Sequence, residues 1–128
     1  MTVKILFTCP HAAGKSLAAA TYFRSAAFRA ELDVEISVAG PEPDEHNMPT
    51  VADALATEGF QISWHPRLIT EDDTANADHV ISIGCDHDDI PANVEIIEWD
   101  APLISQNLMG SLRAIHDHCE AFAGRLTT

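Results

Sequence analysis

Short apolar runs along the chain alternate with longer stretches in which apolar residues recur at helical spacing. Val3–Thr8 is one such run, and it ends at a loop containing Pro10, which is typical of a buried strand. After this loop, Leu17, Ala20 and Phe23 fall on one face of a helix. In all, the pattern predicts strands at 3–8, 34–38, 79–83 and 94–98, and helices at about 16–30, 49–58, 71–77 and 105–125.

Strands that alternate with helices are typical of right-handed βαβ units. The sequence therefore predicts an α/β fold in which a four-stranded parallel sheet is flanked by helices. Because one core typically occupies about 100–200 residues, we expect the 128 residues to form a single domain over 1–128. No run approaches the roughly 18 apolar residues of a membrane span, and the first residues lack the features of a signal peptide, so we expect a cytoplasmic protein.

The chain is strongly acidic. It carries seven Lys and Arg residues against twenty Asp and Glu residues, a formal net charge of −13. A surface of this sign repels nucleic acid and anionic lipid, so we expect neither a nucleic acid nor a membrane as a partner. An anionic ligand must then be held by a local set of donors, because the field of the whole protein opposes its binding.

Three cysteines, Cys9, Cys85 and Cys119, are spread along the chain. Their odd number and wide spacing predict free thiols rather than the disulfide framework of a secreted protein. Cys9 and Cys85 each follow a predicted strand, as do Gly40 and Asp100. Ligands of parallel sheets bind outside the carboxyl ends of the strands, so these four residues are candidates for one site.

The loop from Cys9 to Ser16 joins the first predicted strand to the first predicted helix. A helix N-terminus after a tight loop binds anions, because free backbone N–H groups and the positive end of the helix dipole face the same point. We expect these donors and Lys15 to favour the thiolate of Cys9, which would meet a bound oxyanion as a nucleophile. The alternative interpretation is that Cys9 is a small buried residue at the end of a strand.

The spacing Cys9-x5-Lys15-Ser16 resembles the phosphate loop of the low-molecular-weight protein tyrosine phosphatase family, which includes the thioredoxin-coupled arsenate reductases. That family has the pattern Cys-x5-Arg-Ser. The resemblance extends over almost the whole chain, with further ordered matches at 37–40, 65–72, 77–85 and 99–102. It implies the family's three-layer α/β fold and an activity on a small tetrahedral oxyanion, namely phosphate, arsenate or a phosphomonoester.

The resemblance also implies roles for individual residues. Cys9 would be the nucleophile, Ser16 would hydrogen-bond its thiolate, and Asp100 would protonate the leaving oxygen. Cys85 looks like the cysteine with which the arsenate reductases attack the arsenic adduct, so a disulfide with Cys9 and a reductant such as thioredoxin are implied. The oxyanion would be held by the loop residues Ala12, Ala13, Gly14, Lys15 and Ser16. Two further candidates follow from position and not from the resemblance. His11, inside the loop, either contacts the oxyanion or is a solvent-exposed loop residue, and Arg67 is a cation near the same face that would close over the oxyanion.

The sequence departs from the family pattern at several of these positions. Lys15 replaces the arginine, whose fork binds two oxyanion oxygens where lysine offers a point charge. Ala12 replaces an asparagine that adopts a left-handed conformation, at a cost of about 1 kcal/mol, which predicts a reshaped loop. The family's Asp-Pro pair is here Asp100-Ala101-Pro102, so Asp100 is either the general acid or an unrelated loop carboxylate.

These observations leave several functions open. The first hypothesis is an arsenate reductase-like thiol enzyme, and the second is a phosphomonoester phosphatase acting through a cysteinyl-phosphate on Cys9. A third is a catalytically impaired oxyanion-binding protein, because Lys15 replaces the arginine. The stretch Cys9-x4-Gly14-Lys15-Ser16 also resembles a nucleotide-binding loop whose first glycine is lost. No spaced ligand set for a metal ion is present, so we expect neither a metal nor a cofactor.

Overall fold

The computed structural model describes residues 1–91 and 94–127, and its centre is a parallel sheet of four strands. The strand order is β2-β1-β3-β4, so β1 is paired on both sides, with Ile5 opposite both Ile36 and His79. This arrangement confirms the predicted α/β fold with a four-stranded parallel sheet. The strands are β1 (Val3–Thr8), β2 (Val34–Ala39), β3 (His79–Ser82) and β4 (Ile96–Glu98).

Four α-helices and one 3-10 turn flank the sheet, and local sequence explains where most of them start. One begins at Pro49, a residue preorganised for the first turn of a helix. Another follows Thr70, whose side chain and that of Asp73 form a reciprocal capping box. The helices are α1 (Lys15–Arg29), α2 (Pro49–Thr57), α3 (Glu71–Asn76) and α4 (Leu108–Leu126), with the 3-10 turn at His87–Asp89.

Some predicted boundaries are wrong. The last helix begins at Leu108 rather than at residue 105, because the side chain of Asn107 caps it by accepting a hydrogen bond from the Gly110 N–H at 2.9 Å. Strand β4 begins at Ile96 rather than at residue 94. The 3-10 turn is an element that apolar periodicity does not reveal, since it is held by the Asp86 side chain accepting from a backbone N–H.

The two faces of the sheet are packed unequally. On the thicker face, α1 and α4 pack on one another, and an aromatic cluster joins them to the sheet, with the rings of Phe7 and Trp99 5.6 Å apart and those of Phe23 and Phe122 5.5 Å apart. The thinner face is a small apolar cluster that includes Cys85. Among the residues that the structure describes, no helix is long and apolar enough to cross a membrane.

Candidate active site

Strand β1 and helix α1 bring Cys9 and Ser16 together across the loop that joins them. The Cys9 Sγ lies 3.0 Å from the Ser16 Oγ, and the Ser16 backbone N–H donates to the same sulfur at 3.4 Å. Both side chains are buried, with Cys9 only 4% exposed. Because these donors belong to the first turn of α1, the helix dipole also favours negative charge on the sulfur. The arrangement suits a nucleophilic thiolate.

The loop keeps a left-handed residue at Ala12, contrary to the expected reshaping. Ala12 has φ = 54°, its side chain is fully buried, and its N–H donates to the Cys9 carbonyl at 3.3 Å. The following carbonyl, that of Ala13, accepts from the Met48 N–H at 2.9 Å. These contacts hold the alanine in a conformation that costs an L-residue about 1–2 kcal/mol.

Gly40, directly after β2, packs closely against the backbone of the loop. A Cβ atom at this position would lie 2.3 Å from the Cys9 carbonyl oxygen and 3.1 Å from the Ala12 nitrogen. The backbone of Gly40 is itself held on its other side, since its N–H donates to the Arg67 carbonyl at 3.0 Å. Only a residue without a side chain lets the end of β2 approach the loop this closely.

Lys15 lies at the rim of the loop, half-buried. Its Nζ donates to the carbonyl of Ala101 at 3.4 Å, which ties the first residue of α1 to the segment after β4. Lys15 is the one Lys or Arg side chain among the described residues that line the cavity above the loop. An oxyanion in this cavity would therefore be held by backbone N–H groups and a single ammonium.

The cavity has a volume of about 390 Å³ and is mostly apolar away from the loop. The apolar walls come from Met48, Ile83, Leu103 and Ile104, and Met48 and Ile104 both lie over Gly14. A tetrahedral oxyanion fills only part of this volume, so a substituent would also fit. The lining residues are Cys9, Pro10, His11, Ala13, Gly14, Lys15, Met48, Ile83, Gly84, Leu103, Ile104 and Ser105.

Cys85 is buried close to the loop, on the thinner side of the sheet. Its Sγ lies 3.7 Å from the Thr8 Oγ1, and Thr8 is the residue directly before Cys9. Burial raises the pKa of the Cys85 thiol, and the charge of the nearby Cys9 thiolate adds to the rise. Gly84, with φ = 86°, forms the turn between β3 and Cys85. The fold thus brings two thiols from separate strands to one edge.

The structure places Asp100 at the margin of this site. Its side chain is exposed and is not among the described residues that line the cavity. Its backbone carbonyl accepts a hydrogen bond from the His118 Nε2 at 2.9 Å. His118 also stacks on Trp99. No sequence motif indicates this contact, because His118 lies on α4 and the contact depends on how that helix packs.

Two further predicted oxyanion ligands are engaged elsewhere. His11 borders the cavity, and its Nδ1 lies 2.9 Å from the Glu42 carbonyl oxygen. Arg67 does not line the cavity, and its guanidinium makes a bidentate ion pair with Asp73 at 2.7 and 2.9 Å. The guanidinium points to Asp73 because the capping box of α3 fixes that carboxylate beside it. The structure therefore does not bring Arg67 to the loop.

Replacing Arg67 with methionine is expected to leave the affinity of the protein for sulfate unchanged. The Arg67 guanidinium, followed by Thr70, lowers the pKa of the Asp73 carboxyl, although burial opposes the shift. This pair therefore stabilises the fold above the pKa of about 3.9 of an unfolded aspartate, and its contribution is lost as the pH falls below that value.

Because the side chain of Arg67 is 45% exposed, we expect the variant to lose about 1 kcal/mol or less at pH 7, and less still at pH 3. Urea unfolding at the two pH values and sulfate calorimetry measure these effects. A large loss of sulfate affinity in the variant would instead show that Arg67 contributes to oxyanion binding.

Comparison with known proteins places this loop in a family. A sequence model described as low molecular weight phosphotyrosine protein phosphatase matches residues 4–98. The chain belongs to this family. The matched region contains the whole loop from Cys9 to Ser16 and also Cys85, whereas Asp100 and α4 follow it. No curated protein sequence matches the chain significantly.

Solved structures of both phosphatases and arsenate reductases share the fold. The thioredoxin-dependent arsenate reductase of Corynebacterium glutamicum is 27% identical with a TM-score of 0.71, over 98% of this chain and 60% of that one. The chain thus spans about 60% of the length of that reductase. An arsenate reductase from Archaeoglobus fulgidus is 23% identical with a TM-score of 0.70, over 96% and 98% of the two chains.

A low molecular weight protein tyrosine phosphatase from Streptococcus pyogenes is 16% identical with a TM-score of 0.81, over 98% of this chain and 94% of that one. The structural neighbours of this chain thus include proteins named as arsenate reductases and proteins named as phosphatases. Within the described residues, no group of three or more His, Cys, Asp or Glu side chains is placed to hold a metal ion.

Proposed function

We propose that this chain is an arsenate reductase-like thiol enzyme of the phosphatase family. The observation that carries the proposal is the second buried thiol, Cys85, beside the strand end that presents Cys9. A phosphatase of this type needs one thiolate, whereas reduction of arsenate needs two thiols within reach of one another. The Cys85 Sγ lies 3.7 Å from the Oγ1 of Thr8, the residue directly before Cys9, which supports such a proximity.

In the proposed reaction, arsenate binds to the N–H groups of the loop and to the Lys15 ammonium. The Cys9 thiolate attacks arsenic and displaces a hydroxide, which Asp100 protonates to water, leaving an arsenic(V) adduct on sulfur. The Asp100 carboxyl group, exposed in this structure, must turn inward and be protonated for this step. The proton required is the one that the neutral carboxyl carries.

In the second step, the Cys85 thiolate attacks the Sγ of Cys9. A sulfur–sulfur bond forms and the sulfur–arsenic bond breaks, so its electron pair passes to arsenic, which leaves as arsenite. The two thiols supply both electrons and end as a disulfide. A thiol reductant such as thioredoxin would then regenerate them, and we propose a cytoplasmic location, where thiols are kept reduced.

The test is to mix reduced protein with arsenate and to measure arsenite, free thiols and the Cys9–Cys85 disulfide by mass spectrometry. Wild type is expected to yield arsenite with the disulfide in equal amounts, and Cys85→Ser is expected to yield neither. Because the pKa of Cys85 is raised, the rate of disulfide formation is expected to increase with pH through the alkaline range. Arsenate consumption without the disulfide would contradict the mechanism.

The apolar part of the cavity favours a second candidate, a phosphomonoester phosphatase. Leu103, Ile104 and Met48 leave room beside the loop for an organic substituent on the oxyanion. Hydrolysis would proceed through a cysteinyl-phosphate on Cys9 and needs no second thiol. With p-nitrophenyl phosphate as substrate, Cys85→Ser is therefore expected to retain this activity while arsenate reduction is lost.

The departure at Lys15 supplies a third outcome for the same assays. If wild type turns over neither substrate and Lys15→Arg restores one of them, the natural chain is an oxyanion-binding protein built on the family's fold. The arginine fork would then provide the second contact to the oxyanion that the lysine lacks.

A further inference from the structure

The segment directly after β4 is contacted by a side chain of the last helix. The imidazole of His118, on α4, stacks on the indole of Trp99 with ring centroids 5.1 Å apart and an interplanar angle of 8°. The same imidazole lies with its Nε2 2.9 Å from the Asp100 carbonyl oxygen. Because a carbonyl oxygen only accepts, the Nε2 must carry the proton and donate it.

The next residue of this segment contacts the phosphate loop. The carbonyl of Ala101 accepts from the Lys15 Nζ at 3.4 Å. The backbone N–H of Trp99 makes a hydrogen bond in the sheet, donating to the Ser82 carbonyl at 2.9 Å. Beyond it, the carbonyls of Asp100 and Ala101 accept their hydrogen bonds from side chains. The position of this short segment therefore depends on the hydrogen bond from His118 to the Asp100 carbonyl. The next carbonyl, that of Ala101, is the one to which the Lys15 ammonium donates.

We propose that His118 is a positioning residue that holds the Lys15 ammonium ready for the oxyanion. By stacking on Trp99 and donating to Asp100, it fixes the segment 99–101, and the Ala101 carbonyl then limits the positions of the Lys15 ammonium. The proposal rests on the proposed function of Lys15 as the cation that contacts the oxyanion. A lysine whose rotamers are already restricted loses less entropy when the oxyanion binds.

Removing the imidazole should therefore weaken the binding of sulfate, an inert tetrahedral oxyanion. We expect His118→Ala to raise the Kd for sulfate about threefold to tenfold, the cost of ordering one long side chain on binding. His118→Phe retains a ring on Trp99 and removes only the donor, so it serves as a second variant whose packing is preserved. Both are expected to change the Kd in the same direction.

A double-mutant cycle with Lys15→Met separates this role from a merely structural one. If His118 acts through Lys15, either His118 substitution is expected to have no effect on the Kd once Lys15 is methionine. Equal effects in both backgrounds would overturn the proposal, because His118 would then act on the site without Lys15. Calorimetric titration with sulfate measures all six proteins: wild type, the two His118 variants, Lys15→Met and the two double variants.

A matched control lies on the same helix. The ring of His116 contacts Tyr22 at a centroid distance of 5.3 Å and does not line the cavity above the loop. His116→Ala is therefore expected to leave the Kd for sulfate unchanged. An effect equal to that of His118→Ala would mean that any substitution on this helix disturbs the site, which would also overturn the proposal.

The sulfate titrations do not depend on turnover, so they separate the two proposals. If Lys15→Met leaves the Kd unchanged, Lys15 does not hold the oxyanion, and its proposed role and that of His118 both fail. If the cycle shows coupling but no arsenite is released, the positioning role stands and the reductase function fails.

Discussion

Replacing Cys9 with serine is expected to abolish turnover of arsenate and of p-nitrophenyl phosphate, with a loss of about 10⁴-fold or more. The buried sulfur of Cys9 accepts a hydrogen bond from the Ser16 N–H and lies 3.0 Å from the Ser16 hydroxyl oxygen. This environment stabilises a thiolate. A serine oxygen fits the same space but stays protonated at neutral pH, so it is a far weaker nucleophile. Steady-state assays of product release measure the effect.

The third cysteine provides the matched control for this prediction. Cys119 is fully buried on α4, its Sγ donates to the Ala19 carbonyl at 3.3 Å, and burial raises its pKa. Cys119→Ser keeps a donor for that carbonyl and is expected to retain turnover. Sulfate binding by Cys9→Ser shows whether the loop stays intact. Turnover that persists in Cys9→Ser would exclude Cys9 as the nucleophile.

Adding a methyl group at Gly40 is expected to destabilise the protein by about 1–3 kcal/mol and to weaken oxyanion binding. The new Cβ would lie 2.3 Å from the Cys9 carbonyl oxygen, a distance at which one of the two backbones must move. That carbonyl also accepts the Ala12 N–H, so displacing it disturbs the shape of the loop. Urea unfolding of Gly40→Ala and its sulfate titration measure both effects.

Gly124 supplies the control for the loss of a glycine. It lies within α4, and a Cβ built there has no neighbour within 4 Å. Gly124→Ala is therefore expected to stabilise the protein by about 0.5–1 kcal/mol through helix propensity. Equal stability of Gly40→Ala and wild type would show that the end of β2 yields freely, which the double-sided backbone contacts of Gly40 argue against.

The structural features that depend on local sequence pattern could be predicted from the sequence. Apolar periodicity predicts strands and helices, because side-chain direction repeats every two residues in a strand and every 3.6 in a helix. The spacing between Cys9 and Ser16 likewise predicts a loop before a helix N-terminus, since both residues belong to one continuous stretch. The start of α4 was misplaced because the side chain of Asn107, not the apolar pattern, determines where the helix begins.

The partners of single side chains were not predictable in the same way. Arg67 is a cation near the carboxyl ends of the strands, and its sequence position alone suggests an oxyanion ligand. In the folded chain its guanidinium forms an ion pair with Asp73 instead. Ala12 is a poor choice for a left-handed residue by propensity, yet complete burial and a hydrogen bond hold it there. Tertiary contacts outweigh local preference at both positions.

The sequence by itself therefore determined the α/β fold and the loop that presents Cys9, because these follow from short-range periodicity and spacing, and its ordered motif matches carried the resemblance to the family. Only the tertiary structure decided that Gly40 supports the Cys9 carbonyl and that Cys85 lies beside Thr8. The same holds for the contact of His118 with the Asp100 carbonyl. The physical reason is that such contacts join residues far apart in the chain, and the packing of whole elements sets their geometry.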